Sequence, residues 1–264
     1  MKVGLCSKRK IIQPCSLKGY VYQIDPYVGC EHHCFYCYAL NQAETDWAKE
    51  ILIHPDFSAQ LHQELAAIHP QPIYLGWNCD PYQPSEVSYR QTRMALEMLA
   101  QRGFSVCILT KSDLVTCDID LIAQMPGSSV GFSLAFQDEN TRRLFEANAP
   151  DNEVKLKALE CLKGAGIRTY TLVCPVMPFV TEVESLTEMV APYSDTIWFY
   201  ALSMEKDTDR NWRFLSRILD QHFPQLTGKY RQIAFSPTHP YWSELHTMLE
   251  RLNLTKRLDL RIEL

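Results

Sequence analysis

Short β-rich runs alternate six times with longer amphipathic ones along this chain, and that alternation limits the folds open to it more than any other feature. The β-rich runs are Tyr20–Asp25, Ile73–Trp77, Ser105–Thr110, Ser129–Leu134, Arg168–Cys174 and Thr196–Tyr200, each apolar and rich in β-branched or aromatic residues. Helical patterns lie between them at Ser58–His69 (a stripe of Leu61, Leu65 and Ile68), Glu86–Arg102, Asp118–Met125, Asn152–Gly164, Thr181–Ala191 and Asp209–Phe223. Repeats of this kind build parallel βα units with right-handed crossovers. Periodicity leaves a doubly wound sheet and a barrel both open. From Gln225 the pattern is less regular, with a strand expected at Arg231–Ser236 and a helix at Tyr241–Leu252. No linker is visible, so this stretch is expected to pack onto the same domain.

With 264 residues, 46% hydrophobic and 22% charged, the chain can bury a large core without metal or disulfide staples. A metal here would serve chemistry rather than folding. The net charge of −5 and pI near 5.9 speak against a general nucleic-acid binder. The one compact basic run, Lys8-Arg9-Lys10, reads as a solvated segment. No apolar stretch approaches the roughly 20 residues of a membrane span, and the first residues lack the apolar core of a secretory signal. The expectation is a cytoplasmic protein with no membrane partner. In that reducing compartment ten cysteines are not a disulfide framework. Cys107, Cys161 and Cys174 sit in apolar or helical contexts and read as small core residues.

Three other cysteines are spaced like ligands. Cys30, Cys34 and Cys37 fall within Asp25-Pro26-Tyr27-Val28-Gly29-Cys30-Glu31-His32-His33-Cys34-Phe35-Tyr36-Cys37-Tyr38, directly after the first expected strand. Thiolates gathered on one loop suit an iron–sulfur cluster, with one iron left open for another ligand. On spacing alone the alternative is zinc, completed by His32 or His33.

The Cys-x3-Cys-x2-Cys spacing, with an aromatic residue before the third cysteine, resembles the signature of the radical S-adenosylmethionine (SAM) superfamily. Asp80–Glu86 (DPYQPSE) with Thr92-Arg93, Thr110-Lys111-Ser112, Asp118–Ile122, Gly131–Ala135, Glu146–Pro150 and Gly164–Pro178 are similar to its branch around spore photoproduct lyase. The likeness runs through roughly residues 20–200 in one order. It implies an α/β fold, a partial (β/α)6 barrel of TIM type. Residues 1–19 would then be an N-terminal segment, 20–224 the barrel, and 225–264 a C-terminal extension of the same domain. It also implies a [4Fe–4S] cluster on Cys30, Cys34 and Cys37. SAM would chelate the open iron and be cleaved reductively to a 5′-deoxyadenosyl radical that abstracts hydrogen from a substrate. An electron donor such as flavodoxin or ferredoxin would be a partner.

Barrels of this kind place their chemistry at the C-terminal ends of the strands. Lys111 and Ser133, by resemblance, would contact the SAM carboxylate or ribose; Lys111 as a strand cap or partner of Asp113, and Ser133 as a core residue, are the plain alternatives. Tyr36 and Tyr38 flank Cys37 and by resemblance lie near the cofactors, or are core aromatics. Asp80 is expected to orient SAM or substrate, and Glu86 to sit at a helix N-terminus. Cys79 is either a hydrogen-atom donor or packing. The related lyases carry a radical cysteine slightly earlier, where this chain has Trp77, which counts against DNA photolesion repair. Three function classes follow: a radical SAM enzyme with an unidentified substrate, such a repair lyase, or a zinc- or cluster-stabilised binding module without turnover. A SAM methyltransferase of Rossmann type lacks its Gly-rich loop.

Overall fold

The computed structural model of the protein describes residues 1–7 and 9–264; Lys8, the first residue of the basic run, lies outside the described residues. The strands are β1 (Lys2–Leu5), β2 (Ile12–Pro14), β3 (Tyr22–Ile24), β4 (Tyr27–Val28), β5 (Glu50–Ile53), β6 (Pro72–Leu75), β7 (Ser105–Thr110), β8 (Ser129–Ser133), β9 (Arg168–Val176), β10 (Thr196–Ala201) and β11 (Leu260–Glu263). The helices are α1 (Phe57–Leu65), α2 (Glu86–Tyr89), α3 (Gln91–Gln101), α4 (Ile119–Ile122), α5 (Glu139–Phe145), α6 (Asn152–Gly164), α7 (Val183–Val190), α8 (Arg210–His222), α9 (Thr227–Ile233) and α10 (Pro240–Lys256). The fold is mixed α/β, with a mostly parallel sheet of eight strands.

The chain folds as two compact units. The first is Met1–His33, Ala43–Phe132 and Glu153–Thr169; the second is Cys34–Gln42, Ser133–Asn152 and Tyr170–Leu264. In the first, β2, β3, β6, β7 and β8 lie side by side. β2 runs antiparallel to β3, and the remaining pairs are parallel, with Ile24 opposite Leu75, Leu75 opposite Ile108 and Ile108 opposite Val130. These four residues are fully buried. Near-continuous apolar strands are what a parallel sheet covered by helices requires. Leu61 and Leu65 of α1, Leu96 and Leu99 of α3, and Leu159 and Leu162 of α6 add buried side chains to this core. A second, three-stranded sheet sets β5 between β1 and β4. Such short strands carry too little alternation to be read from sequence.

In the second unit β9, β10 and β11 are parallel neighbours. Val173, Phe199, Leu186, Trp212, Leu215 and Leu249 are buried there. The strand expected at Arg231–Ser236 is absent; α9 covers its first half, a turn follows, and the helix buries Tyr230 and Ile233 one turn apart. An apolar run that short does not distinguish strand from helix. The helix expected at Glu86–Arg102 is broken at Arg90, which takes a left-handed φ of 51°. α5 was not foreseen. Asp138 starts it, its carboxylate accepting from the Thr141 N–H. Cys161, read as a core residue, is exposed on α6.

Candidate functional site

β4 delivers the chain to Gly29, whose φ is +95° and where a Cβ would meet the Trp47 indole nitrogen at 3.1 Å and Ile51 at 3.4 Å. Glycine is therefore demanded by conformation, and a Cβ would in addition force Trp47 and Ile51 to give by a few tenths of an ångström. Cys30 follows, packed against the buried group of Tyr27, Ile51 and Cys79. The Glu31 N–H donates to Gln83 Oε1 (2.8 Å), Gln83 Nε2 donates to the Gly29 carbonyl (3.2 Å), and the Glu31 carboxylate accepts from the Ser85 N–H (2.6 Å). The segment Asp80–Glu86 thus holds the first half of the cysteine loop.

β6 ends at a second glycine with no substitute. Gly76 has φ +97°, and a Cβ on it would fall 2.3 Å from the Leu109 carbonyl oxygen. The turn that follows brings Asn78, Cys79 and Asp80 to the strand end. Asp25, at the end of β3, accepts from the Asn78 N–H (2.8 Å), Asn78 Nδ2 (2.7 Å) and Gln23 Nε2 (2.8 Å). Burial raises its pKa, and those hydrogen bonds work against the rise. Cys79 Sγ stands 4.0 Å from Asp25 Oδ1. Burial first, then the Asp25 carboxylate, push the Cys79 thiol well above its ordinary range.

Asp80 is the hub of this end of the unit. Its carboxylate accepts from Thr110 Oγ1 (2.6 Å), the Lys111 N–H (2.7 Å) and the Tyr82 N–H (2.8 Å), with His32 Nε2 3.1 Å away. Burial alone would raise its pKa; His32 and these hydrogen bonds outweigh it, and the net shift is downward. Lys111 is thereby tied to Asp80 through its backbone. Glu86 is buried and accepts from the Tyr27 hydroxyl and from the N–H groups of Thr92 (3.0 Å) and Arg93 (3.0 Å), so it does stand at a helix N-terminus, that of α3. Arg93 binds Asp118 (2.6 Å) and Asp120 (3.1 Å).

The second unit carries Cys34, Tyr36, Cys37, Tyr38 and Ser133. Cys34 and Tyr36 are buried, while Tyr38 is exposed at the start of a 3-10 turn, Tyr38–Gln42. The Phe35 N–H donates to the Phe145 carbonyl (3.0 Å), and the Tyr36 hydroxyl donates to the buried Glu146 carboxylate. Arg142, also buried, fixes that corner: it donates to the carbonyls of Glu146 (2.8 Å) and Ala149 (2.9 Å) and to Asp151 (2.6 Å). Asn211 Nδ2 reaches the Tyr36 carbonyl at 3.5 Å. Ser133 is buried at the end of β8.

The residues that sequence reasoning missed are Asp25, Gln83 and Glu146. A signal existed for the first: Asp-Pro-Tyr occurs at both Asp25-Pro26-Tyr27 and Asp80-Pro81-Tyr82. In both places the aspartate is buried and the tyrosine hydroxyl donates to a carboxylate, Glu86 for Tyr27 and Asp118 for Tyr82 (2.9 Å). Gln83 and Glu146 gave no comparable sign.

The donor chemistry suits an iron–sulfur cluster: three thiols on one loop, Cys34 buried and Cys30 and Cys37 half-buried. Among the described residues, no three His, Cys, Asp or Glu side chains are gathered so as to hold a single metal ion. No helix among them is long and apolar enough to cross a membrane.

A sequence model of the Radical SAM superfamily matches residues 24–190. An uncharacterized protein of Methanocaldococcus jannaschii is 28% identical over 224 residues, 82% of this chain and 82% of its own. An uncharacterized protein of Mycobacterium tuberculosis is 29% identical over 229 residues, and the match spans 80% of this chain but 66% of the relative. Among solved structures, spore photoproduct lyase complexed with dinucleoside spore photoproduct matches with a TM-score of 0.69 at 14% identity, covering 98% of this chain and 80% of that one. Streptococcus suis SuiB bound to its precursor peptide SuiA gives 0.59 at 12% identity, covering 91% and 47%. These two likenesses establish the fold, that of the radical SAM partial barrel. The family model spans more than half of the sequence, and the chain belongs to the Radical SAM superfamily.

Proposed function

We propose that this radical SAM enzyme holds a [4Fe–4S] cluster on Cys30, Cys34 and Cys37 and uses it on a substrate other than a DNA photolesion. The observation that carries the reading is the cysteine loop itself, whose Cys-x3-Cys-x2-Cys run leaves β4 through an obligate glycine and is braced by buried polar side chains. When bound, the cluster supplies the electron that cleaves SAM to methionine and a 5′-deoxyadenosyl radical. The protein's part is to bind, orient and exclude water.

Lys111 and Ser133 are proposed to bind SAM, the lysine ammonium matching a carboxylate. Asp80 holds the Lys111 backbone and His32, so its proposed part is to position them. Tyr36 and Tyr38 flank the third cysteine and are proposed to lie near the cofactors; Tyr36 donates to Glu146, and Tyr38 is exposed. Cys79, a buried thiol in the group that Cys30 packs against, is proposed as a hydrogen-atom donor. Trp77 supports a substrate outside DNA repair: by the resemblance it fills the lyase cysteine's place, and its ring packs edge-on to Tyr74 at 5.7 Å. The net charge of −5 points the same way. A small acidic flavin or iron–sulfur protein of the flavodoxin or ferredoxin kind is the proposed electron donor, in the cytoplasm.

The test is anaerobic reconstitution followed by metal analysis. The wild type is expected to hold about four iron and four sulfide per chain, and Cys30→Ala, Cys34→Ala and Cys37→Ala each to lose them while remaining folded. One zinc per chain without sulfide would overturn the reading. Lys111→Ala should weaken SAM binding by about tenfold or more. Cys79→Ala should still cleave SAM but uncouple it from product, whereas unchanged turnover would make Cys79 a packing residue.

A further inference from the structure

One side chain grips the peptide groups on both sides of Cys30. Gln83 is fully buried. Its Nε2 donates to the carbonyl of Gly29 (3.2 Å) and its Oε1 accepts from the N–H of Glu31 (2.8 Å). The partners fix the orientation of the amide, because a carbonyl can only accept and a peptide N–H can only donate. The grip is returned two residues on, where the Glu31 carboxylate accepts from the Ser85 N–H at 2.6 Å. Gln83 is itself anchored. Its N–H donates to the Asp80 carbonyl (3.3 Å), and its carbonyl accepts from the Glu86 N–H (2.8 Å). Trp47 and Ile51 also close on Gly29, leaving 3.1 to 3.4 Å for a Cβ.

A flexible loop would let the thiol at position 30 sweep through many orientations, and ordering it on ligand binding would then carry an entropic cost. Here the two peptides flanking Cys30 are already fixed by a buried amide. Removing that amide leaves a buried donor and a buried acceptor without it. We propose that Gln83 is a positioning residue that presets the Cys30 thiolate as a cluster ligand. The inference rests on Cys30 being a ligand, and its test separates the two.

The experiment uses the full chain, reconstituted anaerobically, as wild type, Gln83→Met and Gln83→Glu. Methionine keeps the length and volume of glutamine and makes neither hydrogen bond. Glutamate keeps the acceptor for Glu31 and sets a second oxygen against the Gly29 carbonyl. Three readouts are taken: loss of the cluster's visible absorbance in excess chelator, the electron paramagnetic resonance spectrum of the reduced cluster, and Tm of the apoprotein. In Gln83→Met the cluster is expected to strip about tenfold faster, the scale of one buried hydrogen bond lost, with an altered spectrum. Gln83→Glu falls between it and wild type, and the apoprotein Tm of both variants falls by several degrees, as lost buried hydrogen bonds require. Wild-type stripping rates and spectra in both variants would overturn the inference. So would faster stripping with an unaltered spectrum, which general destabilisation alone explains. If Gln83→Met does not fold, Gln83→Glu decides alone by the same two readouts. A wild type that takes up no iron and sulfide would remove the ligand reading first, and the inference with it.

Discussion

The hydroxyl of Tyr36 donates to the carboxylate of Glu146, a residue 110 positions further along the chain, and both are buried. Burial first, then Glu146, push the tyrosine pKa well above its usual range, so the hydroxyl remains a donor at neutral pH. Tyr36→Phe takes that donor from a buried carboxylate and should cost about 1–3 kcal/mol. In a chain of this size Tm would fall by about 2–4 °C for each kcal/mol. Calorimetry of the apoprotein checks it, and a Phe variant that melts with the wild type would show the pair to be idle.

Asp80 predicts a pH dependence of defined sign. Its carboxyl sits below the ordinary value in the folded chain, so its contribution is complete above the unfolded pKa near 4. It is lost as pH falls through the lower folded value. Asp80→Asn turns one acceptor into a donor that faces other donors, and should cost about 3 kcal/mol at neutral pH. The gap between wild type and variant, from urea midpoints of the apoproteins, should narrow below about pH 4. A gap that stays constant into acid would assign the loss to something other than this charge.

Two glycines with similar φ should respond differently to alanine. At Gly76 (φ +97°) the new methyl falls 2.3 Å from the Leu109 carbonyl oxygen, whereas at Gly103 (φ +75°) nothing lies within 4 Å. Gly103→Ala carries only the left-handed penalty of about 1–2 kcal/mol. Gly76→Ala adds a backbone clash and should exceed about 3 kcal/mol. Equal urea midpoints for the two variants would contradict the packing of the turn after β6 against the backbone of β7.

Arg142 should tolerate no substitute. Its guanidinium reaches Glu139 (2.8 Å), Asp151 (2.6 Å) and the carbonyls of Glu146 and Ala149 from a buried position. Arg142→Met should cost about 3–5 kcal/mol. Arg142→Lys should recover less than half of that, because an ammonium cannot span the same fork of acceptors. A lysine variant as stable as wild type, by denaturant titration, would contradict this.

Six of the eight strands of the main sheet were legible because each is a short apolar run bounded by turn residues, whereas β2 and β11, three and four residues long, were not. The cysteine loop was legible because thiolates at that spacing have few other uses. The β1–β5–β4 sheet was not, since two to four residues carry no usable period. Arg231–Ser236 misled for the same reason: Ile233, Ala234 and Phe235 suit a strand as well as the helix end and turn that form. The break at Arg90 was hidden because the capping group of α3 is the side chain of Glu86, four residues before it. Gln83 and Glu146 act on partners 52 and 110 residues away, and no local pattern announces a long-range hydrogen bond.

The central claim is that Cys30, Cys34 and Cys37 hold a cluster that turns SAM into a radical source. The most direct measurement is the yield of 5′-deoxyadenosine from SAM after anaerobic reconstitution with iron and sulfide and reduction with dithionite. The account predicts that the wild type releases 5′-deoxyadenosine with methionine, and that Cys34→Ala, folded but without the cluster, releases none. A protein that binds zinc instead, or that holds a reducible cluster and never cleaves SAM, would contradict it.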